Sequence, residues 1–145
     1  MADYTELVKL ALEAREMSYS PYSKFKVGAA LLTKGGKVYK GCNIENASYT
    51  PTNCAERTAF FKAVSEGETE FEAIAIVGGH SDQDELEFCA PCGVCRQVIR
   101  EFCDDDFKIV LLTSNKGGEL KYDVYDLPEI LPFGFGPKDM RIKPR

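Results

Sequence analysis

The sequence has no long apolar run, no signal-peptide pattern at its start and a single histidine. Because no stretch approaches the roughly 20 apolar residues of a membrane-spanning helix, we expect no membrane partner. Residues 1–17 form an amphipathic pattern instead of a charged start, an apolar stretch and a small-residue cleavage site. We therefore expect a cytoplasmic protein. In that reducing compartment the six cysteines are interpreted as metal ligands, catalytic groups or small buried residues rather than as disulfides.

An excess of basic residues is also absent. Lys and Arg number 18 against 23 Asp and Glu, which gives a formal net charge of −5. Such a surface repels a phosphate backbone at long range, so nucleic acid is not an expected partner. What is present is enough apolar material for one core, since 44% of the 145 residues are hydrophobic and nine are Phe. We therefore expect a single domain over residues 1–145.

The hydrophobic periodicity predicts the order α-β-β-α-β-α-β-β followed by a short helix. Helices are predicted at about 4–18, 54–67, 92–103 and 127–131, and strands at about 25–31, 38–44, 71–77, 107–113 and 119–125. Asn53 is the predicted N-cap of the second helix, and residues 78–88 are predicted to form a polar loop with His80 in solvent. The central strand–helix–strand unit favours a parallel crossover, and the hairpins favour antiparallel edges. The expected fold class is therefore α/β, a three-layer α-β-α arrangement around a mixed five-stranded sheet.

Three cysteines and a glutamate carry the chemical signal. Cys92 and Cys95 stand one turn apart at a predicted helix start, where free N–H groups and the helix dipole stabilise thiolates. Cys54 also stands at a helix start, and the crossover brings both starts to the same end of the sheet. Three thiolates on one zinc ion leave a fourth position open to water, which is typical of a catalytic site. Glu56 would lie near the metal without coordinating it, which suits a group that accepts a proton from water.

Other interpretations of these residues remain open. Asn53 and Glu56 also fit a capping box, in which the carboxylate returns to the N–H of Asn53. A Cys-x-x-Cys pair by itself also fits a redox pair or half of a structural zinc site. Cys89, Cys92 and Cys95 have the spacing of an iron–sulfur ligand run, although the fourth ligand is missing and Glu56 would then have no use. Small buried residues are the interpretation for the remaining cysteines, Cys42 and Cys103.

With these residues the sequence resembles the zinc-dependent nucleoside and nucleobase deaminases, and in particular the short homotetrameric cytidine deaminases. The resemblance rests on Cys54-Ala55-Glu56, where cysteine replaces the histidine of the H-x-E pattern, and on residues 21–31, 41–49 and 91–97. Only the acidic loop 79–87 and the tail after Met140 fall outside it. It implies hydrolysis of cytidine and 2′-deoxycytidine to uridine, 2′-deoxyuridine and ammonia in pyrimidine salvage. Zinc-bound hydroxide would attack, with Glu56 as the proton shuttle and one zinc per chain on Cys54, Cys92 and Cys95.

The resemblance also implies roles around the nucleoside. Phe25 would stack on the pyrimidine, and Asn43 and Glu45 would offer acceptors to ribose hydroxyls. Without the resemblance, the strand pattern favours the interpretation of Phe25 as an ordinary core residue, and of Asn43 and Glu45 as ordinary polar residues of an edge strand. Ala55 would offer its backbone N–H to the pyrimidine edge, and a carbonyl near Ala90 would accept from the leaving amine. In the family's homotetramer, neighbouring chains would complete each site through residues at shared edges: Ala47, Tyr49 and Phe135. The alternative for the Phe135 tail is packing on the chain's own core.

Three thiolates leave the zinc shell with a net negative charge, so a compensating cation is expected. Arg57 stands where the all-cysteine family has an arginine that serves this purpose, and we expect it to donate to Cys92 or Cys95; a solvated helix arginine is the alternative. Three rival functions remain. They are a deaminase of the same branch acting on a nucleoside antibiotic such as blasticidin S, a non-catalytic zinc or iron–sulfur module, and a polynucleotide-editing deaminase, which the acidic charge disfavours.

Overall fold

The computed structural model describes residues 2–143, and its central element is a five-stranded sheet with the strand order β2-β1-β3-β4-β5. Helices and strands have these bounds: α1 Thr5–Arg15, β1 Phe25–Thr33, β2 Val38–Cys42, α2 Ala55–Ser65, β3 Phe71–His80, α3 Gly93–Phe102, β4 Lys108–Ser114, β5 Lys121–Asp126 and α4 Leu127–Ile130. Short 3₁₀ turns lie between β4 and β5, at Lys116–Gly118, and after α4, at Pro137–Met140. The predicted α/β fold with a mixed five-stranded sheet is confirmed. No helix within residues 2–143 combines the length and apolar character needed to cross a membrane.

The strand directions explain where the helices begin. β1 is antiparallel to both β2 and β3, β3 is parallel to β4, and β5 is antiparallel to β4. Because β2 and β3 are both antiparallel to β1, they run in the same direction and their carboxyl ends lie at the same edge of the sheet. α2 follows β2 and α3 follows β3. Both helices therefore start at one edge, as the crossover predicted.

Two clusters of buried side chains cover the two faces of the sheet. On one face, α1 packs through Leu7, Val8 and Ala11 against the small residues of β1 and β3. On the other face, α2 and α3 pack around Phe60 and Ile99, against the alternate residues of the same strands. Burial of these apolar side chains on both faces stabilises the three layers.

Two glycines set how closely the helices approach the sheet. A Cβ at Gly28 would lie 2.1 Å from the carbonyl oxygen of Ala11 in α1. A Cβ at Gly41 would lie 2.5 Å from the carbonyl oxygen of Ala55 and 2.5 Å from the backbone nitrogen of Ala59. No side chain fits at either distance, so glycine in β2 lets the first turn of α2 lie directly on the sheet. This close approach fixes the distance between the sheet and the residues at the start of α2.

Several predicted boundaries differ from the structure, among them the end of α1, which is Arg15, and the end of β2, which is Cys42. Two other differences bear on the site. α2 begins at Ala55 with Cys54, not Asn53, as its N-cap, because the Cys54 carbonyl accepts the first helical hydrogen bond, from Thr58 at 3.0 Å. No side chain among the described residues caps this helix, so the capping box is not formed; the Asn53 amide donates to the Thr58 hydroxyl at 3.2 Å. β3 continues to His80, past the predicted start of the loop, because β1 supplies pairing partners as far as Phe25.

Candidate active site

Three sulfur atoms meet where α2 and α3 begin. The Sγ atoms of Cys54, Cys92 and Cys95 all lie within 4.8 Å of one another. Cys54 and Cys92 are 3.8 Å apart, and Cys92 and Cys95 are 3.6 Å apart. Two thiolates bound at about 2.3 Å to a tetrahedral zinc ion would be separated by roughly 3.8 Å. The cluster therefore has the spacing of a zinc site. The prediction that these three cysteines form a metal-binding arrangement is confirmed, and the arrangement is consistent with one zinc per chain.

The position of each sulfur follows from the helix starts. Cys54 is the N-cap of α2 and Cys92 is the N-cap of α3, both with extended backbone, and Cys95 follows in the first turn of α3. Cys95 is buried, Cys54 is half-buried and Cys92 is exposed. A metal held by these three atoms would be buried on one side and approachable on the other. This arrangement leaves room for a ligand that the protein does not supply.

A hydrogen bond between Cys95 and Cys54 shifts the pKa values of these two thiols in opposite directions. A hydrogen bond from Cys95 is the largest cause that lowers the pKa of Cys54 to about 5, and the Arg57 guanidinium adds to the effect. The same hydrogen bond, with burial, raises the pKa of Cys95, which is the donor. In the metal-free site Cys54 is therefore a thiolate at neutral pH and Cys95 is a neutral thiol, whose proton a metal ion would displace on binding.

Arg57 contacts the cluster through a different sulfur from the ones expected. Its Nη2 atom donates to Sγ of Cys54 at 3.3 Å. Hydrogen bonds to Cys54 first, and also to Cys95, raise the pKa of the guanidinium. Arg57 lies one helical turn after Cys54, so the side chain returns to the helix start and reaches the nearer thiolate. The expectation named Cys92 or Cys95 as the partner; the hydrogen bond to Cys95 agrees with it, and the contact with Cys54 was not foreseen.

Glu56 lies beside the cluster and is almost fully buried, with 4% of its surface exposed. Burial is the largest cause that raises its pKa to about 7, and the negative charge of Cys54 raises it further. A hydrogen bond with Cys95 acts in the opposite direction and places the carboxyl group against the sulfurs. A carboxyl group with a pKa near neutrality can both accept and release a proton.

Asn43 is buried and its amide is already engaged within the chain. Its Oδ1 accepts hydrogen bonds from the Val27 backbone at 2.9 Å and from the Ser18 hydroxyl. Its Nδ2 donates to the Phe25 carbonyl at 2.8 Å. Asn43 therefore fixes the start of β1, where the half-buried Phe25 lies. One of the two amide N–H groups is thus engaged, and the expected contact of Asn43 with a ribose hydroxyl stays a prediction.

Glu45 opens onto a cavity of about 380 Å³ lined by Tyr22, Ser23, Glu45, Tyr49 and Thr52. Its carboxylate accepts backbone hydrogen bonds from Tyr22 at 3.0 Å and Ser23 at 3.1 Å, and another from the Ser23 hydroxyl. Desolvation opposes ionisation of this group, but the hydrogen bonds from Ser23 and Tyr22 outweigh it and lower the pKa of Glu45. The cavity therefore contains a carboxylate that remains charged and has the size of a small-molecule site.

The residues expected at shared edges are exposed in the single chain. Ala47 is exposed, Tyr49 is 71% exposed and Phe135 is 58% exposed. The Phe135 carbonyl accepts a hydrogen bond from Gln97 at 2.7 Å, so the tail lies along α3 without burying its aromatic side chains. The alternative that this tail packs into the chain's own core is wrong. A larger cavity, of about 840 Å³, lies at the far end of α3, and its lining includes neither Glu56 nor the three clustered cysteines.

Two residues near the site have surroundings that the sequence did not predict. Cys89 is half-buried over Gly78, where a Cβ would lie 2.6 Å from its Sγ. Burial is the largest cause that raises the pKa of Cys89 to about 11, so it remains a neutral thiol. It does not belong to the sulfur cluster found among residues 2–143, which removes the iron–sulfur interpretation. His80 is exposed, as expected, but it lies at the end of β3 instead of in a loop, with its ring centroid 5.2 Å from that of Phe25.

Comparisons with known proteins point to the same chemistry. Residues 1–111 match the family described as the cytidine and deoxycytidylate deaminase zinc-binding region. The chain is 49% identical over 140 residues to a cytidine deaminase of Halalkalibacterium halodurans, covering 95% of this chain and 98% of that protein. A crystal structure of cytidine deaminase from Burkholderia pseudomallei superposes with a TM-score of 0.80 at 46% identity, covering 92% of this chain and 100% of that one. The chain is also 37% identical over 109 residues to a blasticidin-S deaminase of Bacillus cereus, covering 72% of this chain and 76% of that protein.

Proposed function

The chain belongs to the cytidine and deoxycytidylate deaminase zinc-binding family, and on that premise we propose that it hydrolyses the 4-amino group of free cytidine and 2′-deoxycytidine. The products are uridine or 2′-deoxyuridine and ammonia. The observation that carries the proposal is the burial of Glu56 against three sulfurs with zinc spacing. A redox pair or a structural zinc site has no use for a buried carboxyl group with a pKa near 7 at that point.

Glu56 is the proton shuttle of the proposed reaction. Cys54, Cys92 and Cys95 hold the zinc, which when bound supplies a Lewis acid that makes a water molecule more acidic. Glu56 accepts a proton from this water as its oxygen forms a bond to C4 of the cytosine. The carboxyl group delivers this proton to N3. It then accepts the second proton of the former water, from the oxygen now bonded to C4, and passes it to the amino group, which leaves as ammonia as its bond to C4 breaks. One residue acts in turn as base and acid, which suits a pKa of about 7.

The nucleoside lies between the sulfur cluster and the start of β1. Phe25 stacks on the pyrimidine, since its half-buried ring lies at the sheet edge where α2 and α3 begin. Glu45 accepts a hydrogen bond from a ribose hydroxyl, and Asn43 donates its free N–H to another. The Ala55 N–H, in the first turn of α2, meets the pyrimidine edge. A carbonyl near Ala90 accepts from the leaving amine.

The active form is a homotetramer in which neighbouring chains complete each site with Ala47, Tyr49 and Phe135. The exposure of the two aromatic side chains supports this assembly, because large apolar groups at a surface favour docking. The enzyme serves pyrimidine salvage in the cytoplasm, where a reducing environment keeps all six cysteines as the free thiols described.

The proposal is tested by mixing cytidine with the protein and monitoring the loss of the cytidine chromophore by ultraviolet absorbance. Wild-type protein should convert cytidine and 2′-deoxycytidine, and a zinc chelator should abolish the conversion. Absence of cytidine turnover by zinc-loaded protein would overturn the proposal. Blasticidin S serves as the comparison substrate because a relative acts on it; a kcat/KM for blasticidin S above that for cytidine would reassign the substrate within the same chemistry.

A further inference from the structure

His80 and Phe25 form an aromatic pair beside the proposed pyrimidine site. They are direct partners across β1 and β3, so their side chains leave the same face of the sheet. The ring centroids are 5.2 Å apart and the ring planes meet at 87°, an edge-to-face arrangement. This separation lies within the range of favourable aromatic contacts.

The pair lies on the face that carries the catalytic residues. Side chains alternate along a strand, so His80 shares a face with Ile74 and Ile76, two positions apart along β3. Both isoleucines belong to the core cluster that contains Ala55 and Ile99, of α2 and α3. Since the carboxyl end of β3 lies at the edge where these helices begin, His80 stands near the site without belonging to the sulfur cluster.

The backbone beneath the two rings is held by a buried arginine. Arg15, 8% exposed at the end of α1, donates through Nη2 to the carbonyls of Gly79 at 3.0 Å and His80 at 3.1 Å. Its Nε donates to the Lys26 carbonyl in β1 at 3.1 Å. The His80 N–H donates to the Gln83 side chain at 2.8 Å. The two strand ends are thereby fixed relative to each other, and so are the points from which the rings extend.

Phe25 has a second neighbour over Gly78. A Cβ at position 78 would lie 2.6 Å from Sγ of Cys89 and 3.3 Å from Cε1 of Phe25. The absence of a side chain at Gly78 leaves space that the Cys89 thiol and the edge of the Phe25 ring occupy. His80 supplies an aromatic contact in addition to this one, and only His80 of the two also exposes its side chain to solvent.

We propose that His80 is a positioning residue that holds the Phe25 ring in the orientation that stacks on the pyrimidine. This rests on the proposed function, in which Phe25 forms that stack. When the His80 ring is removed, Phe25 can adopt other rotamers, and the fraction of molecules ready to bind falls. Apparent affinity falls by the same fraction. His80 belongs neither to the sulfur cluster found among residues 2–143 nor to the groups that shift the pKa of Glu56, so we expect the step that follows binding to be unaffected.

Steady-state kinetics with cytidine on a small set of variants test the proposal. His80→Ala should raise KM by about twofold to tenfold, the range expected for one aromatic pair, with kcat unchanged. His80→Phe should restore KM, because it keeps an aromatic partner for Phe25. Ser81→Ala, one residue further on an exposed position, is the matched control and should behave as wild type. In a Phe25→Leu background, His80→Ala should have no further effect, because a residue acting through Phe25 loses its target.

The proposal is overturned if KM of His80→Ala equals that of Ser81→Ala, if kcat falls in place of a rise in KM, or if the Phe25→Leu and His80→Ala effects simply add. The melting temperature of each variant shows whether a raised KM comes from loss of the fold. His80→Phe is a second control, because it must restore KM whatever its melting temperature. Failure of the proposed function would instead appear as absence of cytidine turnover in wild-type protein.

Discussion

Removal of the Arg57 charge tests how the cluster tolerates three thiolates on one metal ion. We expect Arg57→Gln to lower kcat for cytidine more than it raises KM. The guanidinium donates to Cys54 at 3.3 Å, and its loss leaves the cluster richer in electrons. A more electron-rich zinc makes its water less acidic, while the proposed nucleoside pocket around Phe25 and Glu45 is untouched.

The size of the effect follows from the type of contact. A hydrogen bond to a charged partner contributes about 1.5–3 kcal/mol. The hydrogen bond acts mainly on one of the three sulfurs, so we take about half of this free energy as the increase in the activation free energy for attack by the water. A barrier raised by that amount lowers kcat by about fourfold to thirteenfold. The zinc content should remain close to that of wild type, because all three sulfurs are still present.

The assay is steady-state deamination of cytidine over a range of pH, with zinc measured on the same preparations. Lys62→Gln is the matched control, because it removes one positive charge from the exposed side of the same helix and should leave kcat unchanged. If Arg57→Gln has the kcat and pH profile of the control, Arg57 is an ordinary helix arginine and the helix starts alone offset the thiolate charge.

Two further predictions concern the metal and the assembly. Elemental analysis of purified protein should find about one zinc per chain, and Cys92→Ala should lose most of it, because only two sulfurs would remain; iron, or zinc undiminished in the variant, would remove the proposed site. Light scattering at assay concentration should find a homotetramer, and Phe135→Ala should lower cytidine turnover by weakening the shared edge. A fully active monomer would contradict the shared site.

The parts of the fold with a local cause could be predicted from sequence. Alternation of Val27, Ala29 and Leu31 marked β1, because a strand that faces the core on one side repeats every two residues. The cysteine cluster was predictable for a similar reason. Cys54 and Cys92 stand at helix starts, and a strand–helix–strand crossover brings such starts to one edge of the sheet. Each inference used the chemistry of a few neighbouring residues.

The parts that depend on distant contacts were missed. His80 was assigned to a polar loop because its neighbours are Gly, Ser and Asp, yet pairing with Phe25, far away in sequence, makes it the end of a strand. The N-cap of α2 was placed one residue early, since Asn53 and Cys54 differ only in backbone geometry that the sequence does not display. The partner of Arg57 depended on which of three nearby sulfurs its side chain reaches.

Zinc content and cytidine turnover, measured on the same preparation of Glu56→Gln, test the central claim most directly. The amide keeps the shape of the buried side chain but cannot accept a proton, so we expect about one zinc per chain, as in wild type, and a kcat lower by about a hundredfold to ten-thousandfold. A variant that keeps its zinc and retains roughly a tenth of wild-type turnover would contradict the shuttle role, because the buried carboxyl would then not carry the proton.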